Sequence, residues 1–121
     1  MNKPARAPGA RPAVVSLNIN SKSALYAAYM PFLKNGGIFV PTSKKYQLGD
    51  EIFMLLQLMD DPAKHPVAGT VVWITPQDAQ ANRTVGVGVH FNDDDTGKVV
   101  RGNIEKILAG HLGSNRPTHT L

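Results

Sequence analysis

The histidines and a run of three aspartates are the residues of this chain best suited to metal or acid-base chemistry. His65, His90, His111 and His119 show no i, i+4 pairing on one helix, and the chain has no cysteine, so the sequence does not indicate a zinc site. The aspartates, residues 93–95, directly precede a predicted helix. Carboxylates at that position accept hydrogen bonds from unpaired backbone amides and offset the helix dipole. We therefore predict a helix-capping role for them and no bound metal.

Motifs for nucleophilic catalysis and for phosphate binding are incomplete. No serine lies in a G-x-S-x-G sequence. Gly86-x-Gly88 begins a dinucleotide fingerprint, but Phe91 stands where the third glycine belongs. Thr96-Gly97-Lys98 ends like a phosphate-binding loop, but Asn92 stands where its first glycine belongs. The sequence predicts a protein that is not an enzyme and holds no cofactor.

Hydrophobic periodicity predicts a mainly β fold. Alternating or continuous apolar residues indicate five strands, at residues 15–19, 38–40, 51–58, 67–74 and 85–91. A short helical turn over residues 24–30 is capped by Ser21 or Ser23 and stopped before Pro31. A final amphipathic helix begins after Asp95 or Thr96 and ends by residue 110 or 113. These elements predict a small antiparallel β-barrel or sandwich with a short N-terminal helical turn and one C-terminal α-helix.

Length and charge indicate one domain between two tails. The 121 residues divide into an N-terminal tail (1–12), rich in proline, glycine, alanine and arginine, a domain (13–112) and a polar C-terminal tail (113–121). Of the 13 lysines and arginines, four lie in the tails, and the remaining nine match the nine acids in number. The predicted domain therefore has no surplus of positive charge, which argues against nucleic-acid binding. The absence of a signal sequence, of an apolar run of about eighteen residues and of cysteine predicts a cytoplasmic protein without membrane insertion.

Three segments, 32–40, 69–73 and 85–91, occur in an order that resembles the strand core of PilZ domains. The resemblance implies a PilZ-type barrel. In members of that family that bind cyclic di-GMP, the first segment reads [DN]-x-S-x-x-G and follows an R-x-x-x-R box. Here Phe32 and Lys34 occupy the acid or amide position and the serine position, and only Gly37 is retained. Arg6 and Arg11 are separated by four residues instead of three and lie upstream of the first strand.

Segments 24–32 and 36–42 are similar to those of PilZ-family members that act in type IV pilus assembly. This resemblance implies a cytoplasmic adaptor for pilus biogenesis and twitching motility. It further implies contact with the pilus-extension ATPase PilB and with a FimX-type GGDEF-EAL protein that carries cyclic di-GMP. Two alternatives stay open: a direct receptor that uses Lys34, Arg6 and Arg11, and a small RNA-binding barrel.

Apolar residues on the short helix and on the fourth strand are candidates for a protein interface. Tyr26 and Met30 share one side of the helix, and Leu25 and Tyr29 share another, so we expect one apolar side to be exposed. The alternative is that Tyr26 and Trp73 belong to the core. The C-terminal tail is either a docking segment or disordered. The predicted partner-binding residues are Tyr26, Tyr29, Met30, Trp73, Pro117, Thr118 and His119.

Overall fold

The computed structural model describes residues 13–76 and 84–109, and these form five strands and two helices. The mainly β prediction is confirmed, and each predicted element is present with bounds shifted by a few residues at most. The elements are β1 (Ala13–Ile19), α1 (Lys22–Ala28), β2 (Gly37–Pro41), β3 (Glu51–Leu58), β4 (Lys64–Ile74), β5 (Gly86–Phe91) and α2 (Asp95–Ile107).

The five strands form one sheet, in the order β1-β3-β4-β5-β2, which curls into a half-barrel. The pairs β3–β4, β4–β5 and β5–β2 are antiparallel, as expected. The expectation of an entirely antiparallel barrel is wrong for β1, which runs parallel to β3. The chain passes through α1 and β2 between these two strands, and a connection of that length allows the second strand to return in the same direction.

The core lies on the concave side of β3 and continues across the sheet. Alternate residues of β3 are buried, in keeping with a strand that has one covered face. The strands β2 and β5 differ, because nearly every residue on both of their faces is buried. Helix α2 adds Val100, Ile104 and Leu108 to the core. Val85, the first residue of the predicted fifth strand, lies before β5 and is exposed.

Both helices begin at a capping side chain. The hydroxyl of Ser21 accepts a hydrogen bond from the N–H of Ala24 at 3.1 Å, so one of the two predicted caps is confirmed. Helix α2 is capped by Asp94 and not by Asp95 or Thr96: the carboxylate of Asp94 accepts from the N–H of Gly97 at 2.8 Å. Asp94 has the extended backbone that a cap requires, whereas Asp95 is already helical.

Both helices end a few residues earlier than predicted. Helix α1 ends at Ala28, since Tyr29 is extended and forms an isolated bridge with Ile38 of β2. Helix α2 ends at Ile107, with Leu108 as its cap, before the glycines that were expected to stop it. Those glycines, at positions 110 and 113, lie outside the described residues.

Candidate functional site

The candidate site is the loop of residues 31–36, which joins α1 to β2 and holds the first part of the PilZ-like segment 32–40. The N–H of Met30 donates to the carbonyl of Gly37 at 2.9 Å, so the two ends of the loop are held together. Gly36 has a φ of 76°, a conformation that favours glycine. A Cβ at this position would also lie 3.1 Å from the Tyr29 hydroxyl and 3.3 Å from Cγ of Arg101. Gly36 therefore has a structural role in closing the loop.

Four hydrogen bonds attach the loop to β5 and α2, and one of them runs from the backbone N–H of Phe91 to the carbonyl of Gly36 at 3.0 Å. The backbone N–H of Asn35 donates to Nε2 of His90 at 3.2 Å, and the Asn35 side-chain amide donates to the carbonyl of Phe91 at 3.4 Å. Arg101 donates from Nη1 to the carbonyl of Lys34 at 3.0 Å. Sequence reasoning missed these contacts, because the partners are separated by 55 to 67 residues and share no local motif. His90 is accordingly a half-buried strand residue that accepts a hydrogen bond from the loop.

A second group of contacts fixes the base of the loop against α2. The hydroxyl of Tyr29 donates to the carboxylate of Glu105 at 2.6 Å, and Nε of Arg101 donates to the same oxygen at 3.2 Å. Burial raises the pKa of Tyr29 above its usual range, and the hydrogen bond to Glu105 raises it further. The hydrogen bond from Tyr29 lowers the pKa of Glu105, and Arg101 lowers it too. Tyr29 is therefore neutral and Glu105 ionised at neutral pH.

The loop presents an exposed aromatic side chain beside a cation. Phe32 is 51% exposed and Lys34 is exposed, while Leu33 between them is half-buried. Phe32 and Lys34 stand where the nucleotide-binding motif has an acid or amide and a serine, and a phenyl ring offers no such hydrogen bonds. Arg101 is the one arginine within residues 13–76 and 84–109, and Glu105 and the Lys34 carbonyl already bind it.

The structure does not support the expected exposure of α1. Tyr26 is 7% exposed, Tyr29 is 1% exposed and Met30 is fully buried. The expectation that one apolar side of this helix faces solvent is therefore wrong for all three residues. The physical reason is that Tyr29 and Met30 follow the helix as extended chain along β2, where both faces are covered. Tyr29 and Met30 support the loop through the hydrogen bonds of the Tyr29 hydroxyl to Glu105 and of the Met30 N–H to Gly37.

Trp73 remains partly accessible. Its ring packs edge-to-face against Phe39, with centroids 6.0 Å apart and an interplanar angle of 66°. A register shift in β4 between Val71 and Trp73 places Trp73 opposite Gly88 of β5. A Cβ on Gly88 would lie 3.1 Å from Cβ of Trp73 and 2.8 Å from Sδ of Met30, so the glycine lets both side chains approach the strand closely.

The remaining predicted site residues, Pro117, Thr118 and His119, lie outside the described residues, and their role stays a prediction. In the described part of the chain, no group of three or more histidine, aspartate or glutamate side chains is arranged to hold a metal ion. Neither of the helices in that part is long and apolar enough to cross a bilayer.

A curled five-stranded sheet, with a C-terminal helix against it and an anchored loop that exposes an aromatic residue, defines a small domain of the β-barrel class. The PilZ domain family matches residues 5–110, most of the chain, and the protein belongs to that family. Domains of this family are generally non-catalytic and bind ligands or partners. A search of curated proteins found no match.

Proposed function

We propose that this protein is a non-enzymatic adaptor in cyclic di-GMP signalling, which binds other proteins and not the nucleotide. The observation that carries this proposal is the loop of residues 31–36. Hydrogen bonds hold it against β5 and α2, yet it exposes Phe32 and Lys34 where nucleotide-binding members of the family have an acid or amide and a serine. The loop is therefore attached to the sheet and to α2, and it presents an aromatic side chain and a cation where the nucleotide-binding motif has hydrogen-bonding groups.

Cyclic di-GMP carries two phosphates, and proteins bind such groups best through the paired N–H groups of arginine. In the described residues, Arg101 already donates from Nε to Glu105 and from Nη1 to the carbonyl of Lys34. To bind a phosphate through those groups, it would have to give up the contacts that hold the loop. Lys34 can attract a phosphate only as a single flexible charge. These groups favour at most weak nucleotide binding at this loop.

Protein binding needs a different surface, and the loop has one. Large aromatic side chains are typical anchors of protein interfaces, and a preorganised loop loses little conformational entropy when a partner binds. Phe32 is such an aromatic residue on a loop attached to β5 and α2. Trp73, on β4, is a second aromatic residue and is partly buried.

The finer proposal concerns the process and the partners. Segments 24–32 and 36–42 are similar to those of PilZ-family members that act in type IV pilus assembly. We therefore place the adaptor in pilus biogenesis and twitching motility in the cytoplasm. It would link the pilus-extension ATPase PilB to a FimX-type GGDEF-EAL protein, and that protein would carry the cyclic di-GMP.

Binding of the purified chain to a FimX-type EAL protein and to PilB tests this function. We expect saturable binding to at least one of them, and we expect Phe32→Ala to weaken it by about tenfold or more, as truncation of an interface anchor does. The matched control is Val99→Ala, which removes an exposed apolar side chain from α2. Neither change should alter the urea midpoint by much. The proposal fails if neither protein binds, or if Phe32→Ala and the control behave alike.

A further inference from the structure

Strand β1 forms one edge of the sheet. Within residues 13–76 and 84–109 it pairs with β3 alone, in an unbroken register from Ala13 opposite Ile52 to Ile19 opposite Leu58. Edge strands are usually protected from pairing with other chains by charged residues, prolines or bulges. The sequence of β1, AVVSLNI, has no charge and no proline. Nothing on this strand opposes pairing with another one.

The backbone groups that point away from the sheet can be identified. The N–H of Met59, just after β3, donates to the carbonyl of Ile19 at 2.7 Å, so the peptide groups of Ile19 face β3. Peptide groups alternate in direction along a strand, and those of Val14, Ser16 and Asn18 therefore face the free edge. The side chains of these three residues are exposed on the outer face. Ser16 lies at the centre of the seven-residue strand.

The inner face of β1 is incompletely covered. Val15 and Leu17 are half-buried, although Met54 and Leu56, which lie opposite them on β3, are 1% and 0% exposed. Val15 and Leu17 therefore leave apolar area uncovered at this edge of the sheet. Next to it is a pocket of about 170 Å³ between β1, α1 and β2, lined among others by Leu17, Ile19, Ala28 and Phe39. Clefts for small-molecule ligands measure about 300–1,000 Å³, and this smaller one suits a single apolar side chain.

We infer that the free edge of β1 binds the same strand of a second copy of this chain, antiparallel and centred on Ser16. In that register the two Ser16 residues face each other and exchange two backbone hydrogen bonds. Val15 lies beside Leu17 of the second copy and Leu17 beside Val15, so the half-buried apolar residues cover one another. Val14 lies opposite Asn18. The edge is uncharged and complementary to itself under a two-fold axis, which is the requirement for a symmetric dimer.

A charge-exchange experiment on the full chain tests this inference, which does not depend on the proposed function. Ser16→Lys and Ser16→Glu each place like charges directly opposite one another in the dimer, where they repel. Each change lies on an exposed side chain, and urea unfolding will confirm that the variants fold. The matched control is Gln57→Lys, which adds the same charge to β3, opposite Asn18 of the same chain and one strand away from the free edge. Sedimentation equilibrium measures association.

The interface joins two short strands, so we expect a reversible dimer observed at high protein concentration. Each Ser16 variant should dissociate about tenfold more readily, an equimolar mixture of the two should associate again, and Gln57→Lys should behave like the unchanged chain within about twofold. A chain that is monomeric at about 1 mM overturns the inference. So does a dimer that survives both Ser16 changes, or a mixture of the variants that does not associate.

Discussion

The hydroxyl of Tyr29 lies 2.6 Å from the carboxylate of Glu105, although 76 residues separate them in the chain. Tyr29 is 1% exposed, and it carries the extended chain that leads from α1 into the candidate loop. Glu105 lies on α2 and also binds Arg101, which in turn binds the carbonyl of Lys34. One buried hydroxyl therefore couples the base of the loop to the C-terminal helix.

Tyr29→Phe removes that hydroxyl and leaves the ring in place. Hydrogen bonds to charged groups contribute about 1.5–3 kcal/mol to folding stability. Because Glu105 is partly exposed, we expect the variant to lose about 1–2 kcal/mol of unfolding free energy. The unfolding free energy from urea titration measures it. Tyr46→Phe, which removes the hydroxyl of a half-buried tyrosine outside this group of contacts, is the control. A change of the same size in both variants would show that the hydrogen bond to Glu105 contributes nothing specific.

The raised pKa of Tyr29 predicts a loss of stability in alkali. An unfolded tyrosine ionises near pH 10, whereas Tyr29 in the folded chain stays neutral to higher pH because it is buried and bonded to Glu105. The contribution of Tyr29 is therefore complete below about pH 10 and decreases as the pH rises towards its folded-state pKa. Urea unfolding at about pH 8 and pH 11 should show a smaller decrease for Tyr29→Phe than for the unchanged chain. Equal decreases would contradict the assigned burial.

The glycines of β5 differ in what a methyl group would meet. A Cβ on Gly86 would lie 2.2 Å from the carbonyl oxygen of Val40, which is backbone and cannot move aside. A Cβ on Gly88 would meet the flexible end of Met30 at 2.8 Å. We expect Gly88→Ala to lower the unfolding free energy by about 1–3 kcal/mol and Gly86→Ala to lower it further.

The control for this pair is Gly102→Ala on α2, where no atom lies within 4 Å of the added Cβ. Alanine is the better helix former by about 1 kcal/mol, so this variant should be stabilised. Thermal or urea unfolding ranks all three variants. If Gly86→Ala proved as well tolerated as Gly102→Ala, the close packing of β5 against β2 would be wrong.

The two aspartates before α2 should respond differently to removal. Asp94 caps the helix through the N–H of Gly97, and Asp94→Ala should cost about 1 kcal/mol. Asp93 makes only an exposed ion pair with Lys98 at 3.8 Å, and Asp93→Ala should change the unfolding free energy by less than about 0.5 kcal/mol. Urea titrations of both variants decide this, and the reverse order would show that the cap is misassigned.

Local patterns in the sequence predicted most of the elements. The alternating residues of β3 gave its bounds without error, and Ser21 and the aspartates before α2 marked both helix starts. The aspartates could not be ranked as caps, because three adjacent carboxylates satisfy the same local rule. Backbone geometry and the hydrogen bond to Gly97 identify the cap: Asp94 is extended, whereas Asp95 is already helical.

The features that depend on distant residues could not be predicted in this way. The spacing of apolar residues in the helix predicts that Tyr26 and Met30 share one side, but it does not tell whether that side is exposed. Both residues are buried, because the rest of the fold packs against them. The register shift before Trp73 and the parallel direction of β1 are likewise properties of the assembled sheet. The contact between Asn35 and His90 spans 55 residues. The prediction of Trp73 as an interface residue stays a prediction.

Calorimetric titration with cyclic di-GMP tests the central claim most directly. The chain alone is titrated first, and then the chain with a FimX-type EAL protein. We predict no saturable binding to the chain alone at micromolar concentrations, and complex formation that the nucleotide promotes once the EAL protein is present. Saturable micromolar or tighter binding to the chain alone would contradict the account and would make this protein a direct receptor, in spite of Phe32 and Lys34 in its loop.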